Sequence, residues 1–251
     1  MKIVIIGGTG LIGSKLVRNL KERGHDAVAA SPRSGVNAVT GEGLANALAG
    51  AQVVVDVSNS PSFEDRAVLE FFERSTGNLM AAEKKAGVKH HVILSIVGAD
   101  RMRDSGYMRA KVAQESLVRS SGVPFSIVRA TQFYEFLVAV AEAGAADGMV
   151  RVPTAPMQPI AAEDVAASLT DVAVGPPIQG ILDIAGPEKL PIAELARRLF
   201  LARGDSRKVV DVDGMPYFGQ KVDDGSLCPF GPARIGAVRF ENWLTTNSTK
   251  G

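Results

Sequence analysis

The chain of 251 residues is 46% apolar and carries 28 basic against 27 acidic residues, for a formal net charge of +1. That balance gives no electrostatic reason to expect a nucleic acid or an anionic membrane as a partner. The single cysteine excludes an intramolecular disulfide, and no apolar run approaches the roughly 18 residues that a spanning helix needs, so we expect a protein of the reducing cytoplasm.

Short β-branched runs alternate with longer helical patterns from the N-terminus onward, which predicts βαβ units around a parallel sheet. The run "KIVII" (Lys2–Ile6) is apolar after its lysine, as expected of a strand covered on both faces. Further strands are predicted at residues 26–31, 51–58, 91–98 and 125–131. Helices fit between them at about residues 11–24, 44–49, 64–86 and 107–120. Right-handed crossovers would place these helices on both faces of a doubly wound sheet.

The pattern changes after about Met149. A proline-rich segment leads into a helix from Ala162, a further strand, turn and helix follow, and residues 211–232 are predicted to be loop because they are rich in Gly, Pro and Asp. We therefore predict an α/β fold in two parts. Residues 1–150 form the doubly wound domain, and residues 151–251 form a small C-terminal α/β lobe that packs on it and does not fold independently.

Glycines fall directly between the first strand and the first helix, with the spacing G-x-x-G-x-x-G in "GGTGLIG". One glycine permits the tight turn, one lets backbone approach a pyrophosphate, and one allows close helix–strand packing. The helix N-terminus favours phosphate through its unpaired N–H groups. The pattern predicts a Rossmann-type dinucleotide site, with a glycine-rich turn that binds nothing as the alternative. The residues assigned to the cofactor in this loop are Gly7, Thr9, Gly10, Leu11, Ile12 and Gly13.

The segment "AASPRSG" follows the second strand and carries no carboxylate where an NAD-binding protein would place one for the ribose 2′-hydroxyl. Instead Arg33 lies between Ser31 and Ser34, and a guanidinium with two hydroxyls suits a 2′-phosphate. These three residues therefore predict NADP(H), although an ordinary solvated arginine is the alternative. Past the third strand, the residues assigned to the adenine and ribose edge are Val57, Ser58 and Asn59. Turn chemistry alone accounts for small polar residues there equally well.

Tyr107 and Lys111 lie four residues apart at the start of a predicted helix, so both side chains project from one face. A carbonyl reductase needs a proton donor, and a phenol serves better beside a cation that lowers its pKa. Lys111 could supply that field and also bind the nicotinamide ribose. Ser95, at the end of the fourth strand, could orient the substrate oxygen. The alternative is an ordinary helix surface.

These motifs, with "RATQFYEF" and "PIAAEDVA" further along, resemble those of the atypical short-chain dehydrogenase/reductase superfamily. The nearest likeness is to its NmrA-like branch, which includes isoflavone-reductase-like enzymes, NADPH–quinone reductases and redox-sensing regulators. The resemblance covers residues 1–201. It implies that the three glycines hold the pyrophosphate, that Arg33 meets the 2′-phosphate, and that Ser95, Tyr107 and Lys111 are the catalytic trio. Many NmrA-like members lack the tyrosine, and its presence here favours an enzyme.

In such proteins the loop after the strand at residues 125–131 lines the substrate pocket. The resemblance therefore implies a substrate site made of Gln132, Phe133, Tyr134 and Phe136. Aromatic side chains there favour a flat or apolar substrate, although core packing would explain Phe133 and Phe136 equally well. The three histidines form no metal-binding constellation with other ligand residues, so no metal site is predicted.

The first functional hypothesis is an NADPH-dependent reductase of a small ketone, aldehyde or quinone. In it Tyr107 donates the proton, Lys111 lowers the pKa of Tyr107 and binds ribose, and Ser95 polarises the oxygen. The second hypothesis is a sensor that binds NADP(H) without turnover. A third is an isomerase or epimerase on the same scaffold. A homodimer is compatible with each, and the expected partner is a small-molecule substrate.

Overall fold

The computed structural model describes residues 1–247, so the last four residues of the predicted lobe lie outside the described chain. The elements of its N-terminal half are β1 (Lys2–Ile6), α1 (Leu11–Glu22), β2 (Asp26–Ala30), α2 (Leu44–Leu48), β3 (Val53–Asp56), α3 (Asp65–Ala86), β4 (His90–Ile96), α4 (Gly106–Ser120) and β5 (Phe125–Ala130). All five predicted strands and all four predicted helices of this half are present. The strand predictions ran too long by up to two residues at an end, because turn residues such as Ser31 and Ser58 continue the β pattern without pairing.

The remaining elements follow in chain order. They are α5 (Leu137–Glu142), β6 (Ala145–Ala146), β7 (Met149–Pro153), β8 (Pro156–Met157), α6 (Ala162–Val174), β9 (Ile181–Ala185), β10 (Leu190–Pro191), α7 (Ile192–Arg203), β11 (Lys208–Val212), β12 (Arg234–Ile235) and α8 (Phe240–Asn247). The predicted loop over residues 211–232 begins as the end of β11 and then contains only turns and an isolated bridge between Tyr217 and Gln220. None of the described helices is long and apolar enough to cross a bilayer.

A seven-stranded parallel sheet has the strand order β12-β9-β5-β4-β3-β1-β2. Strands β2 and β3 therefore flank β1 on opposite sides, and the direction of winding reverses there. The register pairs Ile6, the last residue of β1, with Ala30 on one side and Asp56 on the other. In doubly wound sheets a ligand binds beyond the carboxyl ends of the strands at this switch point. The predicted Rossmann-type fold is confirmed.

The chain divides into two compact units. The first unit is Met1–Arg129 with Val165–Leu182, and the second unit is Ala130–Asp164 with the chain from Asp183 onward. The predicted boundary at residue 150 thus lies inside the second unit. The proline-rich segment that suggested this boundary contains β7 and β8. The chain first passes from the first unit to the second earlier, between Arg129 and Ala130.

The core of the first unit explains why its strands could be predicted from the sequence. The residues Ile3, Val4 and Ile5 are fully buried, as expected of a strand with helices on both faces. Val4 and Ile6 share one apolar cluster with Leu79 of α3. Each such side chain contributes about 1.5–3 kcal/mol by leaving water.

Within the second unit, Tyr134 is fully buried. Its ring lies 5.1 Å from that of Phe240 and 5.6 Å from that of Trp243, and its hydroxyl donates to the Val238 carbonyl at 3.1 Å. The expectation that Tyr134 lines a substrate pocket is therefore wrong, because the side chain anchors α8 in the core of this unit.

Candidate active site

The glycine loop is closed by contacts that leave no room for side chains. Gly7 has φ +78°, and a Cβ on it would lie 2.9 Å from the Ser58 nitrogen. A Cβ on Gly13, in the first turn of α1, would lie 2.2 Å from the Gly7 carbonyl oxygen. The Gly10 N–H donates to that same carbonyl at 2.9 Å. Backbone is thus what the loop presents at the switch point, as phosphate binding requires.

The other predicted loop residues differ in what they expose. Thr9 and Gly10 are exposed, and Leu11 is 48% exposed at the start of α1. Ile12 is buried and packs into the core, so only its backbone could meet a ligand. The helix has no acidic residue in its first turn and no side-chain cap, which leaves its positive end uncompensated.

Two buried hydroxyls at the switch point lack a hydrogen-bond partner among the described residues. They are the Oγ atoms of Ser31, beyond β2, and Ser58, beyond β3. A buried polar group left unpaired costs about 1–3 kcal/mol, so such groups are commonly paired by a ligand or water. The predicted cofactor residues Ser31 and Ser58 are therefore suited to bind the hydroxyl or phosphate groups of a dinucleotide.

Arg33 and Ser34 lie in a short 3-10 turn, Pro32–Ser34, directly after β2. The Arg33 side chain is exposed. The Ser34 hydroxyl accepts from the Ser31 N–H at 2.9 Å and donates to the Ser31 carbonyl at 2.9 Å. Ser34 thus holds the turn that presents Arg33, and its own hydroxyl is already engaged.

The loop after β3 makes hydrogen bonds both at the switch point and to α4. Its Val57 N–H donates to the Ile6 carbonyl at 3.0 Å, and its Ser58 N–H donates to Asp56 Oδ1 at 2.9 Å. The Asn59 side-chain oxygen accepts from the Tyr107 hydroxyl at 2.9 Å. Two residues predicted for different roles, Asn59 and Tyr107, are therefore in direct contact.

Tyr107 is half-buried against two phenylalanines, with its ring 5.4 Å from that of Phe63 and 6.2 Å from that of Phe72. Burial raises the pKa of Tyr107 to about 12, and the hydrogen bond to Asn59 offsets only part of that effect. The prediction that Lys111 lowers the pKa of Tyr107 is contradicted. The physical reason is that burial dominates, and Lys111 is not among the groups that shift the pKa of this hydroxyl.

Lys111 is buried under α3, with only 3% of its surface exposed. Its ammonium donates to the Leu94 carbonyl at 2.9 Å and to Gln114 Oε1, and lies 4.4 Å from the centre of the Phe72 ring. Burial lowers the pKa of Lys111 to about 8, opposed by the negative charges of Asp56 and Glu115. The cation is thus held at the end of β4, next to the switch point, at a desolvation cost.

Ser95 is buried, and its hydroxyl donates to Glu115 Oε1 at 2.6 Å. The same carboxylate accepts two hydrogen bonds from Arg129 at 2.7 and 2.8 Å. Arg129 also donates to Asp100 at 3.0 Å, in the loop between β4 and α4. A hydroxyl has one proton to donate, so Ser95 must exchange Glu115 for a substrate oxygen in order to polarise it.

The residues predicted to bind substrate belong to the second unit. Gln132 and Phe133 are half-buried, and Phe136 is 42% exposed with its ring 5.8 Å from that of Phe218. The side-chain oxygens of Gln132 and of the neighbouring Thr131 are buried without a partner among the described residues. Thr131 was not predicted, although its place directly after β5 is a signal that could have found it.

Three buried residues around Lys111 and Ser95 were also missed, namely Asp56, Gln114 and Glu115. Their signal was available. Asp56 ends the otherwise apolar strand "VVVD", and the other two residues follow Lys111 at helical spacing of three and four. Residues 1–247 contain no group of three or more side chains that could hold a metal ion.

Residues 7–176 match the NAD(P)H-binding family. The chain belongs to this family. A relative of this NAD(P)H-binding protein, the photosystem II assembly factor Ycf39 of Cyanophora paradoxa, is 25% identical over 152 residues, which are 55% of the chain and 47% of Ycf39. The chain thus spans about half the length of that relative. The (4-alkanoyl-5-oxo-2,5-dihydrofuran-3-yl)methyl phosphate reductase of Streptomyces griseus subsp. griseus is 28% identical over 213 residues, covering 78% of the chain and 72% of the reductase.

The solved structure of MoeE5 in complex with UDP-glucose and NAD superposes on this NAD(P)H-binding protein with a TM-score of 0.76 at 18% identity, covering 99% of the chain and 98% of MoeE5. At that identity the likeness concerns the fold alone. The family match confirms the NAD(P)H-binding part of the predicted resemblance. The cofactor is a nicotinamide dinucleotide, and the unpaired Ser31 and Ser58 hydroxyls beside a side-chain-free glycine loop fit such a group.

Proposed function

We propose that this protein is an NADPH-dependent reductase that delivers hydride to a small carbonyl compound or a quinone. The observation that carries the proposal is the placement of Tyr107. Its protonated hydroxyl donates to Asn59, which follows Ser58 in the loop after β3. Lys111 lies one helical turn after Tyr107 on α4. A proton donor and a cation beside a nicotinamide site are the groups that carbonyl reduction uses.

When bound, the reduced nicotinamide supplies the hydride. Tyr107 then gives its proton to the oxygen that gains negative charge. Because its pKa is about 12, Tyr107 stays protonated throughout the neutral range and can transfer to a more basic alkoxide. Lys111 holds a ribose hydroxyl, and Ser95 donates to the substrate oxygen after leaving Glu115.

Arg33 supports NADPH over NADH. It is exposed in the turn that follows β2, and the segment at the end of that strand offers no carboxylate to a ribose 2′-hydroxyl. A 2′-phosphate would find there a guanidinium and the unpaired Ser31 hydroxyl. The Streptomyces relative is itself named a reductase, which adds support for the reaction class.

A second candidate function is a sensor that binds NADP(H) without turnover. One observation favours it: the hydroxyls of Tyr107 and Ser95 both donate to protein partners, Asn59 and Glu115. A protein that merely senses the dinucleotide needs no free proton donor, whereas a reductase must break these hydrogen bonds when substrate binds.

NADPH oxidation against a panel of aldehydes, ketones and quinones tests the proposal, with wild type beside Tyr107→Phe. Tyr217→Phe, a buried tyrosine of the second unit, is the matched control. We expect Tyr107→Phe to lower kcat for carbonyl substrates by about 10²–10⁴-fold and the control to leave it unchanged. Quinone turnover that survives in Tyr107→Phe would restrict the tyrosine to carbonyl substrates. Bound cofactor that neither protein oxidises on any acceptor would overturn the reductase in favour of the sensor.

A further inference from the structure

Three buried polar side chains form a line between β3 and α4. Asp56, Gln114 and Lys111 are each no more than 3% exposed. The Gln114 side-chain N–H donates to Asp56 Oδ2 at 3.1 Å, and its carbonyl oxygen accepts from the Lys111 ammonium. A carboxylate and an ammonium are thus joined through one amide.

The chemistry at the two ends fixes the direction of that amide. An ionised carboxylate only accepts, so Asp56 requires the NH₂ side of Gln114. An ammonium only donates, so Lys111 requires the oxygen side. A flipped amide would break both of these hydrogen bonds in a buried site, where each unmade hydrogen bond costs about 1–3 kcal/mol. Gln114 therefore has one orientation, and it fixes the position of Lys111 as well.

The other oxygen of Asp56 connects the same line to the loop that borders the cofactor site. It accepts from the Ser58 N–H at 2.9 Å, and the Ser58 hydroxyl is one of the buried groups without a partner. One carboxylate thereby holds both the loop at the switch point and, through Gln114, the cation on α4.

We propose that Gln114 is a positioning residue that, oriented by Asp56, fixes the Lys111 ammonium for the nicotinamide ribose and keeps it protonated in its buried site. The ribose contact rests on the proposed function. The hydrogen-bond line and its effect on Lys111 do not.

The charges that face Lys111 come from several elements. Asp56 lies on β3 and Glu115 on the same helix as Lys111, whereas α3 faces it with the uncharged ring of Phe72 and β4 with the Leu94 carbonyl. The buried pair of Glu83 on α3 and His91 on β4 interacts electrostatically with Asp56. Of these charged groups Asp56 alone is described as a hydrogen-bond partner of Gln114, so a substitution at Gln114 removes that hydrogen bond and leaves the other charges in place.

The test compares Gln114→Met, which keeps the volume and removes the acceptor, with Gln114→Glu, which keeps the acceptor and adds charge. Both variants remove the N–H that donates to Asp56, so they differ only in what they offer Lys111. Ser116→Ala, on the exposed side of α4, is the control. The titration midpoint of Lys111 is followed by NMR of ε-¹³C-lysine in the cofactor-free protein and assigned by its loss in Lys111→Met. NADPH affinity is measured alongside by fluorescence titration.

We expect Gln114→Met to lower the Lys111 midpoint by about one pH unit and to weaken NADPH binding about tenfold, because the cation loses its acceptor. Gln114→Glu should raise the midpoint by about one unit or more. The control should change neither. A residue that only fills space would leave the midpoint unmoved in Gln114→Met, and that result would overturn the proposal whatever the turnover. Opposite shifts in a protein that reduces no substrate would uphold the positioning role and reject the reductase.

Discussion

The two sides of the site differ in whether their buried polar groups have hydrogen-bond partners within the protein. Beyond β2 and β3, the hydroxyls of Ser31 and Ser58 are buried and lack a partner in the described chain. On α4 and β4, by contrast, Tyr107, Lys111 and Ser95 all donate to protein acceptors. The dinucleotide side is therefore completed by a ligand, whereas the α4 side is complete without one. In the proposed reductase, substrate on the α4 side would exchange an existing hydrogen bond for a new one, which costs less than leaving a group unpaired.

If the α4 side is complete by itself, breaking it should cost stability even without a ligand. Arg129→Leu leaves the buried Glu115 without its cation, and we expect the free energy of unfolding to fall by about 3–5 kcal/mol. Urea unfolding of the cofactor-free protein measures this. Arg74→Leu, which removes an exposed ion pair with Glu70, should cost less than about 1 kcal/mol. Equal losses in both variants would show that Glu115 is no more dependent on its partner than a surface carboxylate.

Lys111→Met should raise the free energy of unfolding while weakening NADPH binding. Burial lowers the pKa of Lys111 from 10.5 to about 8, so the folded state carries the charge at a cost of about 3 kcal/mol below pH 8. The unfolded chain holds the proton more tightly, and the cost disappears as pH rises from about 8 to 10.5. We expect Lys111→Met to be more stable than wild type at pH 7, with a difference that shrinks above pH 8, while NADPH binding weakens.

Urea unfolding at a series of pH values tests that expectation, with Lys85→Met at an exposed position of α3 as the control. A stability difference that does not vary with pH would mean that the charge of Lys111 is not what burial opposes.

A substitution in the glycine loop should, by contrast, act mainly on ligand binding. A Cβ on Gly13 would lie 2.2 Å from the Gly7 carbonyl oxygen, so Gly13→Ala must displace the loop. We expect NADPH affinity to fall about 100-fold and the free energy of unfolding to fall by about 1–3 kcal/mol. Gly77→Ala provides a matched control, because that glycine lies in α3 with open space around it. It should stabilise the protein by about 0.5–1 kcal/mol and leave binding unchanged.

The smallest expected effect concerns the choice of dinucleotide. Arg33→Gln removes an exposed guanidinium beside the Ser31 hydroxyl, and we expect the Kd for NADPH to rise about 10–30-fold while the Kd for NADH stays constant. Fluorescence titrations with both dinucleotides measure the ratio, and Arg18→Gln on the exposed face of α1 is the control. A parallel change for both dinucleotides would show that Arg33 does not recognise the 2′-phosphate.

The sequence was a good guide where one physical cause dominates. Strand β1 is apolar from Ile3 to Ile6 because both its faces are covered, and Gly7 and Gly13 of the loop have no room for a Cβ. It was a poor guide to side-chain partners. Nothing in the spacing of Tyr107 and Lys111 reveals that one donates to Asn59 and the other to Gln114. These choices depend on which elements pack together, as does the burial that raises the pKa of Tyr107.

The short segment from Asp56 to Asn59 sets the spacing between the two sides of the site. Asp56 connects to Gln114, the backbone at Ser58 lies against Gly7, and Asn59 receives the Tyr107 hydroxyl. One inserted residue would move Asn59 by up to about 3.8 Å relative to Asp56, more than any hydrogen bond can span. The length of this turn is thus a stricter requirement than its composition. An insertion or deletion here would uncouple both sides of the site at once, even where each single substitution is tolerated.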